Sequence, residues 1–481
     1  MTGEHERAEQ LLDRAMRDVE VRTLDLPIPD PQTAAGSRRA PALVAAAVIA
    51  VVGGASLWAA LRPVPVTDLD ATGGVEDAPA VVDDSQDGSL QPDESANEPS
   101  PAETDDALDV DDAVDVDVPA TDGSEPDPPL DRSEGVLPVP DNAIFIAVDG
   151  SDDGTGDGSA QRPFATLTGA VGALGSDIEP GATIVVRGGT YPVTEPQRIT
   201  INGTADAPIT IVNHPGERVI LSGAAISGGG DQPRNFHILH LRDSSHVRVV
   251  GLELVEGMAN AVTVESSEAI EVSDLEISGM NDDGISAFRS TDLVVRNNNI
   301  SDVGLGWSND PGSPRGISIF QRAGDGPCSD IAITGNVVTR AWGRGIHVAG
   351  CETVTIEDNR VSDTYDANIA LVHVIDAVVD GNVTWTTDST WDRNGQPAQG
   401  ITLNNSESTE DYRAIENIAI TNNLSVNNRQ GVRVFLFEWD DPPDGDGSRR
   451  QATYRNLVVA HNTIVEPSVS GIDAVAVEPA A

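Results

Sequence analysis

The 481-residue chain contains no lysine: all 29 of its Lys-plus-Arg side chains are arginine. A lysine base is therefore absent from any mechanism it runs. Against those cations stand 78 Asp and Glu, for a net charge of −49. Binding to nucleic acid needs a basic face, and this balance argues against it. Aromatic residues make up only 4% of the chain, which leaves aliphatic side chains to fill the core. Cysteine occurs twice, at Cys328 and Cys351, so one internal disulfide is the most the chain can form. Uncharged apolar runs long enough to cross a hydrocarbon core are missing too, with one exception at residues 40–61.

That exception organises the amino-terminal part. Residues 1–37 are polar and helix-favouring, then Pro-rich, and read as a cytoplasmic segment. Arg38 and Arg39 precede the apolar run and Arg62 alone follows it, a bias that keeps the amino end inside. Residues 38–62 are thus expected to be a single transmembrane anchor, the alternative being a cleaved signal peptide. Residues 63–138 are rich in Asp, Pro, Ala and Val without a period, and positions 67–136 hold 23 acids against one Arg. Such a segment cannot bury a core and is expected to be a disordered acidic linker, held extended by self-repulsion.

From residue 139 onward the chain repeats. Leu252, Leu275, Asn298, Asn336, Asn359, Asn382, Asn423 and Asn462 are equivalent positions, separated by 23, 23, 38, 23, 23, 41 and 39 residues. The long steps are the 23-residue unit plus insertions of 15, 18 and 16. Short apolar runs, polar turns and no helical spacing give an all-β solenoid in which each coil covers its neighbour's face. The recurring asparagines predict a buried ladder of side-chain amides. Cys328 and Cys351 share one phase, which places them in adjacent coils about 4.8 Å apart, within reach of a disulfide; stacked free thiols are the alternative. No cap is evident after Asn462, so an open strand edge is expected there.

The segment before the repeats carries a resemblance. The loop DGSDDGTGDGS, then PFATL, PGATIVVRGGTY, and the pair APITI and PGERVILSG resemble the amino-terminal cap and first coils of right-handed parallel β-helix proteins of the pectate-lyase-like superfamily. With the repeats, the resemblance covers residues 142–481. It implies a right-handed parallel β-helix and a site in a groove on one strand face. The superfamily includes lyases, hydrolases, epimerases, esterases and non-catalytic surface proteins. Its lyases often use a Lys or Arg base with calcium, and here only Arg is available for that role.

Alternation shows which residues would line the groove. Insertions flank the strands that begin at Gly284, Gly316, Gly345, Gly400 and Gly431. With Ile285, Ile317, Ile346, Ile401 and Val432 turned inward, their neighbours turn outward. Asp283, Arg315, Arg344 and His347 then stand on neighbouring coils and are the candidate catalytic residues. Phe288, Trp307, Phe320, Trp385, Trp391, Gln399 and Arg433 are candidate substrate contacts. Asp283, alone or with Asp282, is a possible calcium ligand or general acid. The loop aspartates Asp149, Asp152, Asp153 and Asp157 are a second possible calcium site. The expected function is action on polysaccharide, lyase- or glycosidase-like, from the extracytoplasmic side of the cell membrane. The alternative is a non-catalytic glycan-binding or surface structural module, and ion pairs along a solvated strand face would produce the same charges without a site.

Overall fold

The computed structural model describes Val48–Ile49 and residues 139–225, 236–304, 314–321, 328–387, 396–404, 415–435 and 454–475. The expected cytoplasmic segment, anchor and acidic linker therefore lie outside the described residues, apart from Val48 and Ile49. Those two form a short strand beside Val459 and Ala460. Among the described residues no helix is long and apolar enough to cross a membrane.

The repeat becomes three parallel sheets wound by one chain. The first has twelve strands, from Ile144–Ile146 to Tyr454–Ala460 and the short Val48–Ile49 at its edge. The second has ten, from Gly189–Pro192 to Thr463–Val465. The third, called the ribbon below, has ten, from Gln197–Ile199 to Ser470–Val475. Each coil contributes one strand to each sheet and pairs with its equivalents one coil away. Cap and first coils are joined by the helix Leu167–Leu174, whose N-cap Thr166 accepts the Gly169 N–H.

Strict alternation explains the core. In the ribbon Ile285, Ile317, Ile346, Ile369, Ile401, Val432 and Ile472 are successive register partners, and all but the last are fully buried. β-Branched side chains suit this half-turned, stacked surface. Corners need tight reversals, and the residue before each ladder position has positive φ: Asp274 at 57°, Asn297 at 55°, Asp358 at 55° and Asn422 at 55° among them. Asn, Asp and Gly tolerate that conformation best, which is why the sequence spends them there.

The asparagine ladder is continuous. Asn336 offers both its N–H and its side-chain amide to Asn359 Oδ1, each at 2.9 Å. Asn359 does the same to Asn382, and Asn382 to Asn423. The remaining amide hydrogen of Asn359 reaches the carbonyls of Ile333 and Glu357. Every donor at this buried corner is thereby used.

Cys328 and Cys351 are register partners, with Cα atoms 4.6 Å apart and their sulfurs joined as a disulfide. Both are fully buried. The bond ties the coil carrying Arg315 to the coil carrying Arg344 and His347. Replacing both cysteines by serine is expected to lower stability by about 3 kcal/mol, the entropy of a loop of this length. Chemical denaturation of the full chain, oxidised against the double variant, checks it.

Candidate functional site

The ribbon's outward residues form three columns. The first runs Asn260, Asp283, Arg315, Arg344, as the hydrogen bonds of the following residues show: Gly284 N–H to Arg315 O and Gly316 N–H to Arg344 O. The second runs His240, Thr263, Ser286, Ser318, His347, Ala370, Thr402, Arg433. The third holds Glu265, Phe288, Phe320, Ala349, Val372, Asn404 and Phe435. The four candidate catalytic residues thus share three adjacent rungs, each about 4.8 Å from the next.

A glycine column backs the first one. A Cβ on Gly345 would lie 2.2 Å from Val361 Cγ1 and 2.6 Å from the Asn368 carbonyl, so the strand can enter the ribbon only where that side chain is missing. Asn368 occupies the corresponding place on the next coil. It is fully buried and bonded to Thr364 and Asn428, and Asn428 in turn bonds Thr384, Thr386 and Ser425.

Asp283 is 5% exposed. Its N–H donates to Asn260 Oδ1 at 3.0 Å, and its Oδ1 accepts the Arg315 N–H at 2.8 Å. Burial pushes its carboxyl up to about 7, helped by the charge of Asp282 and opposed by Arg315. The acid is therefore divided between its two forms near neutral pH. Arg344 Nε donates to Asp366 Oδ2 at 3.1 Å, with side chains 13% and 28% exposed. His347 is 1% exposed and stands between Ser318 and Ala370. On this face Asp283, Ser286, Ser318, His347, Gln399 and Thr402 are all buried.

The candidate substrate contacts divide. Phe288 and Phe320 stack at 5.7 Å between centroids. Gln399 Oε1 accepts from Arg433 Nη1 at 3.4 Å, and Arg433 lies 4.4 Å from the Phe435 ring centroid and 3.3 Å from Asp473. Trp385 belongs elsewhere: it ends the strand Val383–Trp385 of the second sheet, pairs with Ser362 and Val426, and packs with Leu424 and Val426. Strand alternation turns it onto that sheet's outer surface. Trp307 and Trp391 lie outside the described residues.

The loop aspartates work at closing the loop. Asp152 accepts from Ala165 N–H at 2.8 Å and from the Thr166 hydroxyl. Asp153 accepts from Ser151 and Thr155, and these bonds hold its carboxyl down at about 2. Asp157 bonds Ser159 N–H and pairs with Arg162. Asp149 shares with Arg187 and Glu217 the lining of a cavity of about 420 Å³ at the amino-terminal end. The calcium that the resemblance implies takes about six to eight oxygens. Asp282 and Asp283 offer two carboxylates, and among the described residues no group of three or more His, Cys, Asp or Glu is placed to hold a metal. The described side chains alone do not make such a site, so no step is derived through it.

Several neighbours escape a reading of the repeats. His240 Nε2 is 3.0 Å from Glu265 Oε2, and burial lowers its imidazole while Glu265 opposes. His237 meets His240 edge to face at 5.3 Å. Extending the phase one coil back from Val262 to Leu239 would have found them. Asp366 stands one residue before the column, on the coil whose glycine is replaced by Asn368, so the Gly-Ile marker did not reach it.

Comparison with known proteins agrees with this architecture. A 120-residue stretch is 35% identical to pectate lyase PEL9 of Emericella nidulans, covering 24% of this chain and 28% of that one. A 173-residue stretch is 24% identical to the uncharacterized protein YwoF of Bacillus subtilis, covering 36% and 31%. The chain thus spans about a third or less of the length of each of these relatives. The crystal structure of pectate lyase Pel9A aligns over 64% of this chain and 82% of its own, at 14% identity and a TM-score of 0.43, too distant to bear on activity. Residues 144–433 match the family model described as the Pel9A-like, right-handed beta helix region, and the chain belongs to that family.

Proposed function

We propose that the chain is a polysaccharide-acting enzyme of the lyase type, working through the row Asp283, Arg315, Arg344 and His347. The observation that carries this reading is Asp283: a buried carboxyl with a pKa of about 7, on the rung beside Arg315. An acid divided between its two forms at neutral pH can both give and take a proton. Family membership and the stretch shared with a pectate lyase support the choice of substrate class.

In an elimination of this kind the proton on the carbon next to a uronate carboxylate is removed. The bond to the glycosidic oxygen breaks, and that oxygen leaves with a proton. Protonated Asp283 suits the last task. Guanidinium groups support the first, because removing that proton builds charge on the uronate carboxylate and a fixed cation stabilises it where water is excluded, until expulsion of the glycosidic oxygen turns that electron pair into the double bond. His347 or Arg315 is left to take the proton. Hydrolysis by a pair such as Asp283 and Asp366 fits less well: three rungs separate them, about 14 Å, against about 9.5 Å at most for two carboxylates flanking one bond.

The placement proposed for this activity is extracytoplasmic, with residues 38–62 as the anchor and 63–138 as the spacer. The paired cysteines fit an oxidising compartment. The test uses the full chain on acidic and neutral polysaccharides, with and without calcium. Ultraviolet absorbance of the new double bond reports elimination, and reducing ends report hydrolysis. Arg344→Ala and His347→Ala are each expected to lower turnover about 10²-fold or more with the fold intact. Binding to one glycan without product from any would favour the surface-module alternative, to which the stacked Phe288 and Phe320 are equally suited.

A further inference from the structure

Toward its amino-terminal end the ribbon carries charges that the row at Asp283 does not use. The strands Gln197–Ile199, Leu239–Arg242, Val262–Glu265 and Ile285–Phe288 are successive rungs there. Their charged residues are Arg198, Arg242 and Glu265, with His240 among them. Ile199 and Leu241 are buried register partners, so Arg198 and His240 before them turn outward one above the other, and Arg242 turns outward beside His240. Arg198 and Arg242 thus start about 8 Å apart, close enough for two long side chains to meet around one anion. Burial lowers the His240 imidazole, Glu265 opposes, and the charges of Arg198 and Arg242 add to the lowering, which puts both guanidinium groups near one ring. Glu265 is already engaged, with Oε2 3.0 Å from His240 Nε2 and Oε1 3.6 Å from Arg289 Nη1. Arg242 Nε stands 3.8 Å from Glu265 and 3.4 Å from Asp243, longer than a charge-assisted hydrogen bond, and its side chain is 55% exposed. Arg198 is exposed and pairs with no carboxylate among the described residues. Elsewhere on this acid-rich surface Arg218, Arg248, Arg296 and Arg455 each meet one at 2.6 to 3.3 Å.

We propose that Arg198 and Arg242 form a carboxylate subsite that holds a uronate unit away from the bond acted on, an inference that rests on the polysaccharide reading above. Guanidinium groups from two neighbouring rungs can give paired hydrogen bonds to one carboxylate. A local cationic surplus on a chain of net charge −49 also steers a polyanion to this end of the ribbon. Arg242 is two rungs from Asp283 and Arg198 three, about 10 and 14 Å along the ribbon. A polymer lying along the ribbon therefore meets fixed cations both at the Asp283 row and beyond it, and a run of uronates is held better than an isolated one.

The experiment measures steady-state kinetics of the full chain on oligouronates of increasing length, from the shortest that is cleaved to the octamer. Arg198→Gln and Arg242→Gln are each expected to raise KM on the octamer about tenfold and leave kcat within about twofold. Neither should change KM on the shortest substrate, so the gain in affinity with length shrinks, and Arg198→Lys should keep most of it because the charge remains. If Arg242→Gln lacks a cooperative melting transition, the exposed Arg198→Gln is read alone. An unchanged KM on the octamer in a folded variant, or the same loss at every length, overturns the subsite, while turnover dependent on Asp283 leaves the enzyme reading standing. A wild-type chain that neither binds nor cleaves any oligouronate overturns both.

Discussion

Replacing Asp283 by asparagine is expected to lower kcat/KM by about 10²- to 10⁴-fold, the usual share of a positioned proton donor. Asparagine keeps the shape and can still accept the Arg315 N–H, so the loss would report the missing proton and not a collapsed site. The wild-type rate should change with an apparent pKa near the carboxyl's value of about 7, and that limb should vanish from the residual activity of the variant. Stability gives an independent reading. The native carboxyl holds its proton more tightly than the unfolded one, whose pKa is about 3.9. Its contribution is therefore fully present below about pH 4 and is lost as pH rises through about 7. Above that, the wild type holds a buried anion and the variant does not. The melting temperature of Asp283→Asn should exceed that of the wild type at pH 8 and lose the advantage at pH 4. A melting difference that is the same at both ends of the range would contradict the placement of this acid.

The largest structural effect is expected at Asn359. Removing its side chain in Asn359→Ala takes away the acceptor used twice by Asn336 and the donor used by the carbonyls of Ile333 and Glu357, at a fully buried corner. Leaving such groups unsatisfied costs about 1–3 kcal/mol each, and about 3–5 kcal/mol in total is expected because the corner can relax only in part. The same change at Asn462, at the last rung and partly exposed, should cost about 1 kcal/mol, since water can replace the lost partners. Denaturant midpoints of the two variants compare directly. Equal losses at both positions would mean that the ladder does not act as a buried network.

The fold was legible because a stacked solenoid converts sequence phase into position. Equal phase put Cys328 beside Cys351, aligned the asparagines, and set Asp283, Arg315 and Arg344 on successive rungs, all from counting. Features that break the phase were harder to read. Asn368 fills a glycine's place by bonding Thr364 and Asn428, partners from other turns that no local pattern announces. Asp366, one residue outside the outward column, became visible only through its contact with Arg344. Trp385, a candidate substrate contact by sequence, stands in the second sheet and packs with Leu424 and Val426. The four loop aspartates suggested a cation by composition alone. Three of them spend their oxygens on nearby N–H, hydroxyl and guanidinium groups. Side-chain direction and hydrogen-bond partners are properties of three dimensions, and those are the places where phase gave no guidance.

The central claim is that this β-helix performs proton chemistry on a polysaccharide through the row beginning at Asp283. The most direct measurement compares the full chain with Asp283→Asn on the panel of acidic and neutral polysaccharides, with and without calcium, following both new double bonds and new reducing ends. The account predicts double-bond product from a uronate-containing substrate, nearly abolished in the variant while its melting transition remains. Product formed equally well by wild type and variant, or no product from any substrate under either condition, would contradict it.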